Sequence, residues 1–298
     1  MSEKNNNTTL TAMIANQAET VTDPAQRSLR GIHESGAQEI CRQSGKNLRE
    51  IYAAALQSDI WPVRYLRNTS ILSAREQLKL TQSGVAIIGA GGLGGQVITI
   101  LARMGIGMLT VADPDVFEAS NLNRQALATA ETLGTNKAAA AKNMLAAVNP
   151  AVTVRSFPHR LDKDNAAEIL AGTNTVVDAL DNVSDRLVLA QASKTAGIPL
   201  VHAAIAGFEG QIMTIYPQDP GLERIYGEAE QAFEPADSPE AVMGVPGVTP
   251  AVLASLQAME TVKILTNRGR SLRNRMLYVD LENAAFQEFS FGTDPDQA

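Results

Sequence analysis

A glycine-rich turn between a short apolar strand and an amphipathic helix is the feature that most constrains how this chain folds. The strand pattern VAIIG covers residues 85–89, the turn GAGGLG covers residues 89–94, and the helical pattern ends near residue 105. Strand and helix patterns then keep alternating. The further strands are expected at residues 108–113, 152–157, 173–180 and 198–204, and the helices at residues 135–150, 164–171 and 183–196. This alternation predicts βαβ units and a doubly wound, mostly parallel α/β sheet.

The pattern changes after residue 205, where strands follow one another without intervening helices. Residues 210–217 and 275–291 read as meander strands, so we expect a Rossmann-like sheet followed by a short antiparallel part. Between them, residues 217–247 are rich in acid, proline and glycine and predict a long exposed loop. Residues 249–267 predict a strong helix, with Thr249 as its cap.

The chain divides into three parts by composition. Residues 1–60 are predicted to form an N-terminal extension that is mobile at its start and helical from about residue 25. Residues 61–292 form the main domain, and residues 293–298 form a C-terminal tail. The role of the extension does not follow from its sequence.

Composition and charge exclude several classes of protein. The net charge of -7 argues against a surface that binds nucleic acid. The longest apolar runs fall short of the roughly 20 residues that cross a bilayer, so no membrane span is expected. The polar start MSEKNNNTTLTAM lacks the apolar core of a signal peptide. We therefore expect a cytoplasmic protein.

The glycine-rich turn carries the first chemical signal. Gly89, Gly91 and Gly94 match the dinucleotide fingerprint, in which glycines allow a tight turn and let backbone N–H groups approach a phosphate. Asp113 follows the second strand, about 20 residues further along, where an acid usually binds ribose. The turn alone does not identify the nucleotide, and a tight turn without any ligand remains an alternative.

Polar side chains crowd the loop after the second strand, in the stretch SNLNRQ at residues 120–125. Arg124 is suited to neutralise a phosphate, Asn121 to orient it, and Gln125 lies beside them. Lys137 begins the next helix and is expected to point its ammonium into the same crevice. A surface salt bridge and a solvated helix end are the structural alternatives.

A second polar pair, Asp181 and Asn182, follows the fourth strand of the sheet. An aspartate there suits a hydrated Mg²⁺ that bridges phosphates, although a helix cap is an equally simple reading of the pair. Because ligands of open α/β sheets bind at the carboxyl ends of the strands, these residues together predict an electropositive triphosphate site. A dehydrogenase has no need of such a site.

These stretches resemble the ThiF/MoeB/HesA family of ubiquitin-activating-enzyme-like adenylyltransferases. Later in the chain, the runs at residues 203–212 and 247–265 are also similar to that family, and so is RYLRN at residues 64–68. In RYLRN, Asn68 replaces the usual glutamine. The resemblance covers about residues 62–292.

The resemblance implies a homodimeric enzyme that uses ATP and Mg²⁺. Such enzymes adenylate the C-terminal Gly-Gly carboxylate of a small ubiquitin-like sulfur-carrier protein, MoaD- or ThiS-like, and release pyrophosphate. Residues 61–292 would then be the ATP-binding adenylyltransferase domain. By position, the residues implied to bind the nucleotide and its metal are Gly89, Gly91, Gly92, Gly94, Asp113, Asn121, Arg124, Gln125, Lys137, Asp181 and Asn182.

Four of the matching positions carry catalytic roles in this resemblance. Arg124 and Lys137 would contact phosphates, and Asp181 would hold Mg²⁺. Arg64 matches the arginine that reaches in from the other subunit.

The chain departs from the family in its cysteines. Members often carry two Cys-x-x-Cys pairs for structural zinc, but this chain has only Cys41, which reads as a packed helix thiol. We therefore expect neither zinc nor a thioester or persulfide step.

Other functions remain open on sequence alone. A family member could activate a different carboxylate or base, as in a peptide terminus or a tRNA. An NAD-dependent oxidoreductase shares the glycine turn and Asp113, and a non-enzymatic scaffold is a further alternative. Neither the carrier protein nor the pathway, be it molybdenum cofactor or thiamine synthesis, is fixed by the sequence.

Overall fold

The computed structural model describes residues 2–227 and 238–291, with side chains from residue 9 onward. The first part of the chain contains helices and strands in alternation. They are α1 (Ser2–Gln17), β1 (Glu19–Thr22), β2 (Ser28–Ile32), α2 (Glu34–Ser44), α3 (Leu48–Gln57) and β3 (Ile60–Pro62). A 3-10 helix at Val63–Asn68 and helix α4 (Ala74–Gln82) lead into the main sheet.

The start of the chain is helical where the sequence predicted mobility. Helix α1 buries Leu10 and Ile14 in a cluster that also contains Ile40 and Tyr52. Among the side chains of α1 that the structure describes, from residue 9 onward, only these two apolar ones are buried, so the sequence shows too weak a periodicity to predict the helix.

A hairpin replaces part of the helix predicted from about residue 25. Strands β1 and β2 pair antiparallel, and β2 pairs parallel with β3. The turn is closed by Asp23, whose carboxylate accepts hydrogen bonds from the backbone and side chain of Arg27. Gly45, at φ 70°, then ends α2 and separates it from α3.

The predicted boundary near residue 60 falls inside a strand. β3 crosses it, and Tyr65 packs in the same hydrophobic cluster as the extension. The division of the chain into 1–60, 61–292 and 293–298 stays a prediction, and residues 292–298 lie outside the described part.

The main sheet confirms the predicted fold class. Among the described residues it has eight strands in the order β11-β10-β9-β8-β7-β4-β5-β6. These are β4 (Gly84–Ile88), β5 (Met108–Ala112), β6 (Thr153–Phe157), β7 (Thr175–Asp178), β8 (Leu200–Ala206), β9 (Glu209–Ile215), β10 (Arg275–Asp280) and β11 (Ala285–Ser290). Strands β4 to β8 are parallel to one another, and β9 to β11 continue antiparallel.

Helices cover both faces of the parallel part. They are α5 (Gly92–Met104), α6 (Lys137–Val148), α7 (Ala166–Leu170) and α8 (Val183–Ala196). On β4, Val85 and Ile87 belong to one hydrophobic cluster and Ala86 and Ile88 to another, as expected for a strand buried on both faces. Because the chain moves from β4 outward in both directions, the order reverses between β4 and β7. Ligands of open α/β sheets bind at such a reversal.

The described residues of the predicted exposed loop at 217–247 include two short helices and a buried side chain. It contains α9 (Glu223–Tyr226) and α10 (Pro239–Met243), and Leu222 is fully buried. Residues 228–237 of this loop lie outside the described part. Helix α11 (Val248–Thr266) agrees to within one residue with the helix predicted at residues 249–267, and it packs on the sheet. No helix in the part of the chain that the structure describes is long and apolar enough to span a membrane.

Candidate functional site

A cavity of about 480 Å³ opens at the reversal of strand order. The loops that follow β4, β5 and β7 all contribute to its walls. Of the predicted site residues it gathers Gly89, Gly91, Gly92, Asp113, Arg124, Gln125, Lys137, Asp181 and Asn182. We call this space the first cavity.

Two glycines of the turn are required by the fold itself. Gly89 has φ 94°, and a Cβ there would lie 2.4 Å from the carbonyl oxygen of Ala179. A Cβ on Gly94 would lie 1.9 Å from the carbonyl oxygen of Gly89. These contacts bring the start of α5 against β4, so Gly94 lies behind the cavity and packs the turn together.

Two other glycines on the cavity wall have room for a Cβ at ordinary contact distance. A Cβ on Gly91 would lie 3.6 Å from the side-chain amide of Gln125, and one on Gly92 would lie 3.4 Å from Pro250. The protein's own packing therefore does not demand glycine at either position. Their small size leaves the N-terminus of α5 accessible, and a helix N-terminus of this kind favours an anion.

Asp113 is buried at the end of β5 and lines the first cavity. Its Oδ2 accepts a hydrogen bond from the backbone N–H of Ala90 at 2.6 Å, and its Oδ1 accepts one from Asp115 N–H at 2.8 Å. Burial raises the pKa of the Asp113 carboxyl despite these bonds. Each oxygen keeps a second lone pair, so binding of a ribose hydroxyl stays chemically open.

The two predicted cations both reach the first cavity. Lys137 is largely buried, and its Nζ lies 3.0 Å from the carboxylate of Asp115. The guanidinium of Arg124 donates to the carbonyl of Ser120 and to Oδ1 of Asn123. Both side chains are thus positioned at the cavity wall.

The other two predicted site residues of SNLNRQ, Asn121 and Gln125, differ in whether they line the first cavity. Asn121 is not among the residues that line the first cavity, because its Oδ1 accepts the backbone N–H of Glu118 at 3.1 Å and fixes a 3-10 turn. Gln125 does line the cavity, and its Oε1 is buried without a hydrogen-bond partner. The phosphate-orienting role of Asn121 therefore stays a prediction without a direct contact to support it.

Asp181 and Asn182 follow β7 at the opposite wall. Asp181 is exposed, and one of its oxygens accepts a 3.3 Å hydrogen bond from Asn182. Asn182 caps α8 through the backbone N–H of Asp185 at 2.9 Å. An exposed carboxylate facing the cavity fits Mg²⁺, which commonly binds one or two carboxylates together with phosphates.

Arg64 lies outside the first cavity of its own chain. Its guanidinium forms an ion pair with Glu34 of α2 and donates to the carbonyl of Val148 at 3.2 Å. Val148 ends α6, the helix that begins with Lys137. A cation at a helix C-terminus is stabilising, so Arg64 has a structural contact within its own subunit.

Sequence reasoning missed a buried polar network behind the first cavity. His202 Nδ1 lies 2.7 Å from Oδ2 of Asp178, and Nε2 lies 3.1 Å from the hydroxyl of Tyr226. Burial lowers the pKa of His202 and raises the pKa of Tyr226. His202 is therefore a buried hydrogen-bonding residue. Asp178 lies three residues before the predicted Asp181, but nothing in the sequence linked it to Tyr226.

A second cavity of about 660 Å³ adjoins the first. Its floor is formed by strands β8, β9 and β10, through residues such as Ala204, Gln211 and Tyr278. Six residues line both cavities and so form the wall between them: Arg160, Asp181, Asn182, Arg186, Ile205 and Glu240. The site therefore has two connected compartments.

Comparison with known proteins agrees with this architecture. The sequence matches the ThiF family over residues 65–297. It is 41% identical over 221 residues to the SAMP-activating enzyme E1 of Haloferax volcanii, covering 74% of this chain and 81% of that protein. It is 37% identical over 225 residues to the sulfur carrier protein adenylyltransferase of Thermus thermophilus, covering 74% and 82%.

A solved structure shares the fold. E. coli MccB crystallised with ATP superposes with a TM-score of 0.67 at 21% sequence identity, covering 88% of this chain and 80% of MccB. At this level of identity the likeness concerns the fold alone.

Replacement by alanine should destabilise the protein at Gly94, where a Cβ does not fit, but not at Gly92, where it does. Gly94→Ala should lower the free energy of unfolding by about 3 kcal/mol, since its Cβ would clash with the carbonyl of Gly89. Gly92→Ala is the matched control and should stay within about 0.5 kcal/mol of the unmodified protein. Urea unfolding followed by circular dichroism measures both. Equal stability of the two variants would contradict this account of the turn.

Proposed function

The chain belongs to the ThiF family, and we propose that it adenylates the C-terminal Gly-Gly carboxylate of a small ubiquitin-like sulfur-carrier protein. The names of its relatives, a SAMP-activating enzyme and a sulfur carrier protein adenylyltransferase, support this proposal. The observation that carries it is the first cavity, which combines a glycine turn with Lys137, Arg124 and Asp181. Two cations and a carboxylate at the wall of this cavity fit the triphosphate and Mg²⁺ of ATP better than they fit NAD.

The electrostatic problem of the reaction matches this set of side chains. A carboxylate that attacks a phosphate brings two anions together, so neutralisation and positioning contribute most of the rate. Lys137 and Arg124 would supply positive charge, and the backbone N–H groups at the start of α5 would orient the phosphates. Asp113 would hold the ribose. No general base is required, because a carboxylate is ionised near neutral pH.

In the proposed step, a carboxylate oxygen of the carrier forms a bond to the α-phosphorus of ATP. The bond from that phosphorus to the oxygen bridging to the β-phosphate breaks, and pyrophosphate leaves with the electron pair. Asp181 would hold Mg²⁺, which would offset the negative charge of the phosphates. Asn182 keeps Asp181 in place through the 3.3 Å contact between their side chains.

Cys41 has no part in this proposal. It lies in α2, packed against the hydrophobic cluster of the extension, and burial raises the pKa of its thiol. A thiol with a raised pKa is a poor nucleophile. Since it is the only cysteine, we also propose that the protein holds no structural zinc.

Exchange of labelled pyrophosphate into ATP tests the function directly. We expect exchange only when a small Gly-Gly-ending protein from the same organism is present, and none when its last glycine is removed. In parallel, ATP with Mg²⁺ should raise the melting temperature whereas NAD should not. If every such protein failed to support exchange, or if NAD alone stabilised the fold, the proposal would be wrong.

Substitution of the cavity cations should abolish most of the exchange. Lys137→Ala and Arg124→Ala should each lower the rate by about 100- to 1,000-fold, as for other lost contacts to a developing charge. Lys142→Ala, in the same helix but exposed and away from the cavity, is the matched control and should keep the rate. Near-normal exchange by either cavity variant would remove the role assigned to it.

We further propose that the enzyme is a homodimer in which Arg64 of one subunit completes the site of the other. A mixture of Arg64→Ala and Lys137→Ala subunits, each inactive alone, tests this idea. One site of the mixed dimer would combine an intact Arg64 with an intact Lys137, so exchange activity should return.

The structural contact of Arg64 gives the competing outcome. If Arg64 acts only by holding the end of α6 in its own subunit, the mixture stays inactive after verified subunit exchange. That result would exclude action across the dimer.

A further inference from the structure

Arg186 occupies the wall between the two cavities. It lies in the first turn of α8, only 5% of its side chain is exposed, and it lines both compartments. One short hydrogen bond fixes the guanidinium, from Nη2 to the carbonyl of Leu180 at 2.7 Å. The side chain is therefore held in a defined place but faces the site.

Most donors of this buried guanidinium are poorly satisfied. Nε has no hydrogen-bond partner, and Nη1 reaches the hydroxyl of Tyr226 only at 3.5 Å. Asp178 offers no better partner, since its nearest oxygen is 3.8 Å from Nε and already binds His202. Buried polar groups are normally hydrogen-bonded, so unfilled donors at a cavity wall indicate a missing acceptor.

The partner that faces Arg186 from the other side is a carboxylate. Oε1 of Glu240 lies 3.5 Å from Nη2, at the start of the short helix α10. This distance is too long for the two-bond contact that arginine and carboxylate form when their planes match. Glu240 also lines both cavities. A ligand that extended from one cavity into the other would therefore contact it.

We propose that Arg186 binds the carboxylate of the acceptor, and that Glu240 occupies this position until the acceptor displaces it. The inference rests on the proposed adenylation, because it names the group that recognises the substrate's reacting end. The acceptor would extend through the second cavity and place its carboxylate on the free donors of Arg186, next to the first cavity. Glu240 would then swing away.

Charge explains why the displacement is needed. Asp178, Asp181 and Glu240 already surround Arg186, so a further carboxylate would be repelled while Glu240 remains. Exchange of one carboxylate for another leaves the local charge unchanged. Glu240 thus lowers the affinity for acceptors and selects for those that end in a well-placed carboxylate.

Removal of the competing carboxylate should tighten acceptor binding. Glu240→Gln should lower the KM for the carrier in the pyrophosphate exchange by about fivefold, the effect of one lost partly buried charge contact. Glu223→Gln is the matched control, since it removes an equal charge from an exposed residue that lines neither cavity. Its KM for the carrier should be unchanged. An unchanged or raised KM in Glu240→Gln would overturn the proposal.

A non-reactive ligand separates carboxylate recognition from a general charge effect. We would measure binding of a fluorescent carrier by anisotropy without ATP, with its C-terminus either free or converted to the amide. Glu240→Gln should tighten binding of the free carboxylate and leave the amide unchanged. Equal tightening of both forms would overturn the proposal, because Glu240 would then not compete with the C-terminal carboxylate.

A double substitution tests whether both residues act on the same group. Arg186→Lys keeps the charge but loses the forked donors, so it should raise the KM for the carrier while leaving the KM for ATP unchanged. In that background Glu240→Gln should have little further effect, and a full fivefold gain there would contradict the assignment. Should the wild-type enzyme exchange pyrophosphate while Glu240→Gln behaves like Glu223→Gln, only this inference fails. If no carrier supports exchange by the wild type, the proposed function fails with it.

Discussion

The buried carboxylate of Asp113 connects the loops on which the site depends. It binds the backbone of Ala90 inside the glycine turn and the backbone of Asp115 in the loop after β5. Asp115 in turn pairs with Lys137 at the start of α6, and Asn136 donates to the carbonyls of both aspartates. Since burial of this carboxyl is itself unfavourable, its two backbone donors are what make its position stable.

The cations of the first cavity are held in ways that leave them available to an anion. The carboxylate that pairs with Lys137 belongs to Asp115, whose side chain is 62% exposed, so water weakens this pair and a phosphate would compete well with it. Arg124 donates to neutral oxygens of Ser120 and Asn123. Its charge is therefore oriented without being cancelled, which is the arrangement that electrostatic preorganisation requires.

The sequence predicted the sheet because each buried parallel strand reads as a short apolar run and each helix as a periodic one. Residues 85–89 and 108–113 differ by a residue or less at each end from β4 and β5. The hairpin of the extension escaped prediction, since its strands are four and five residues long and mostly exposed. Such strands carry no alternation strong enough to read.

The sequence predicted those site residues that directly follow a strand, because the carboxyl ends of parallel strands meet at one edge of the sheet. Asp178 and His202 meet because they are register partners on β7 and β8, and a sequence does not contain the register of parallel strands that are joined through a helix. Tyr226 joins them from the short helix α9 and Arg186 from α8. Asn121 was predicted to orient a phosphate, but in the structure its side chain binds the backbone of its own loop. A sequence motif does not show which of these two partners an asparagine takes.

The N-terminal extension holds Arg64 through an ion pair with Glu34. Arg64 lies just before the family match begins at residue 65, and its carboxylate partner, Glu34, belongs to a helix entirely outside that match. Reaching into another subunit would require the guanidinium to leave both Glu34 and the end of α6. A partly buried ion pair that loses one partner leaves an uncompensated charge, so the extension would set the free energy of that exchange. The Arg64–Glu34 ion pair is therefore the contact through which the extension would influence a site in the other subunit.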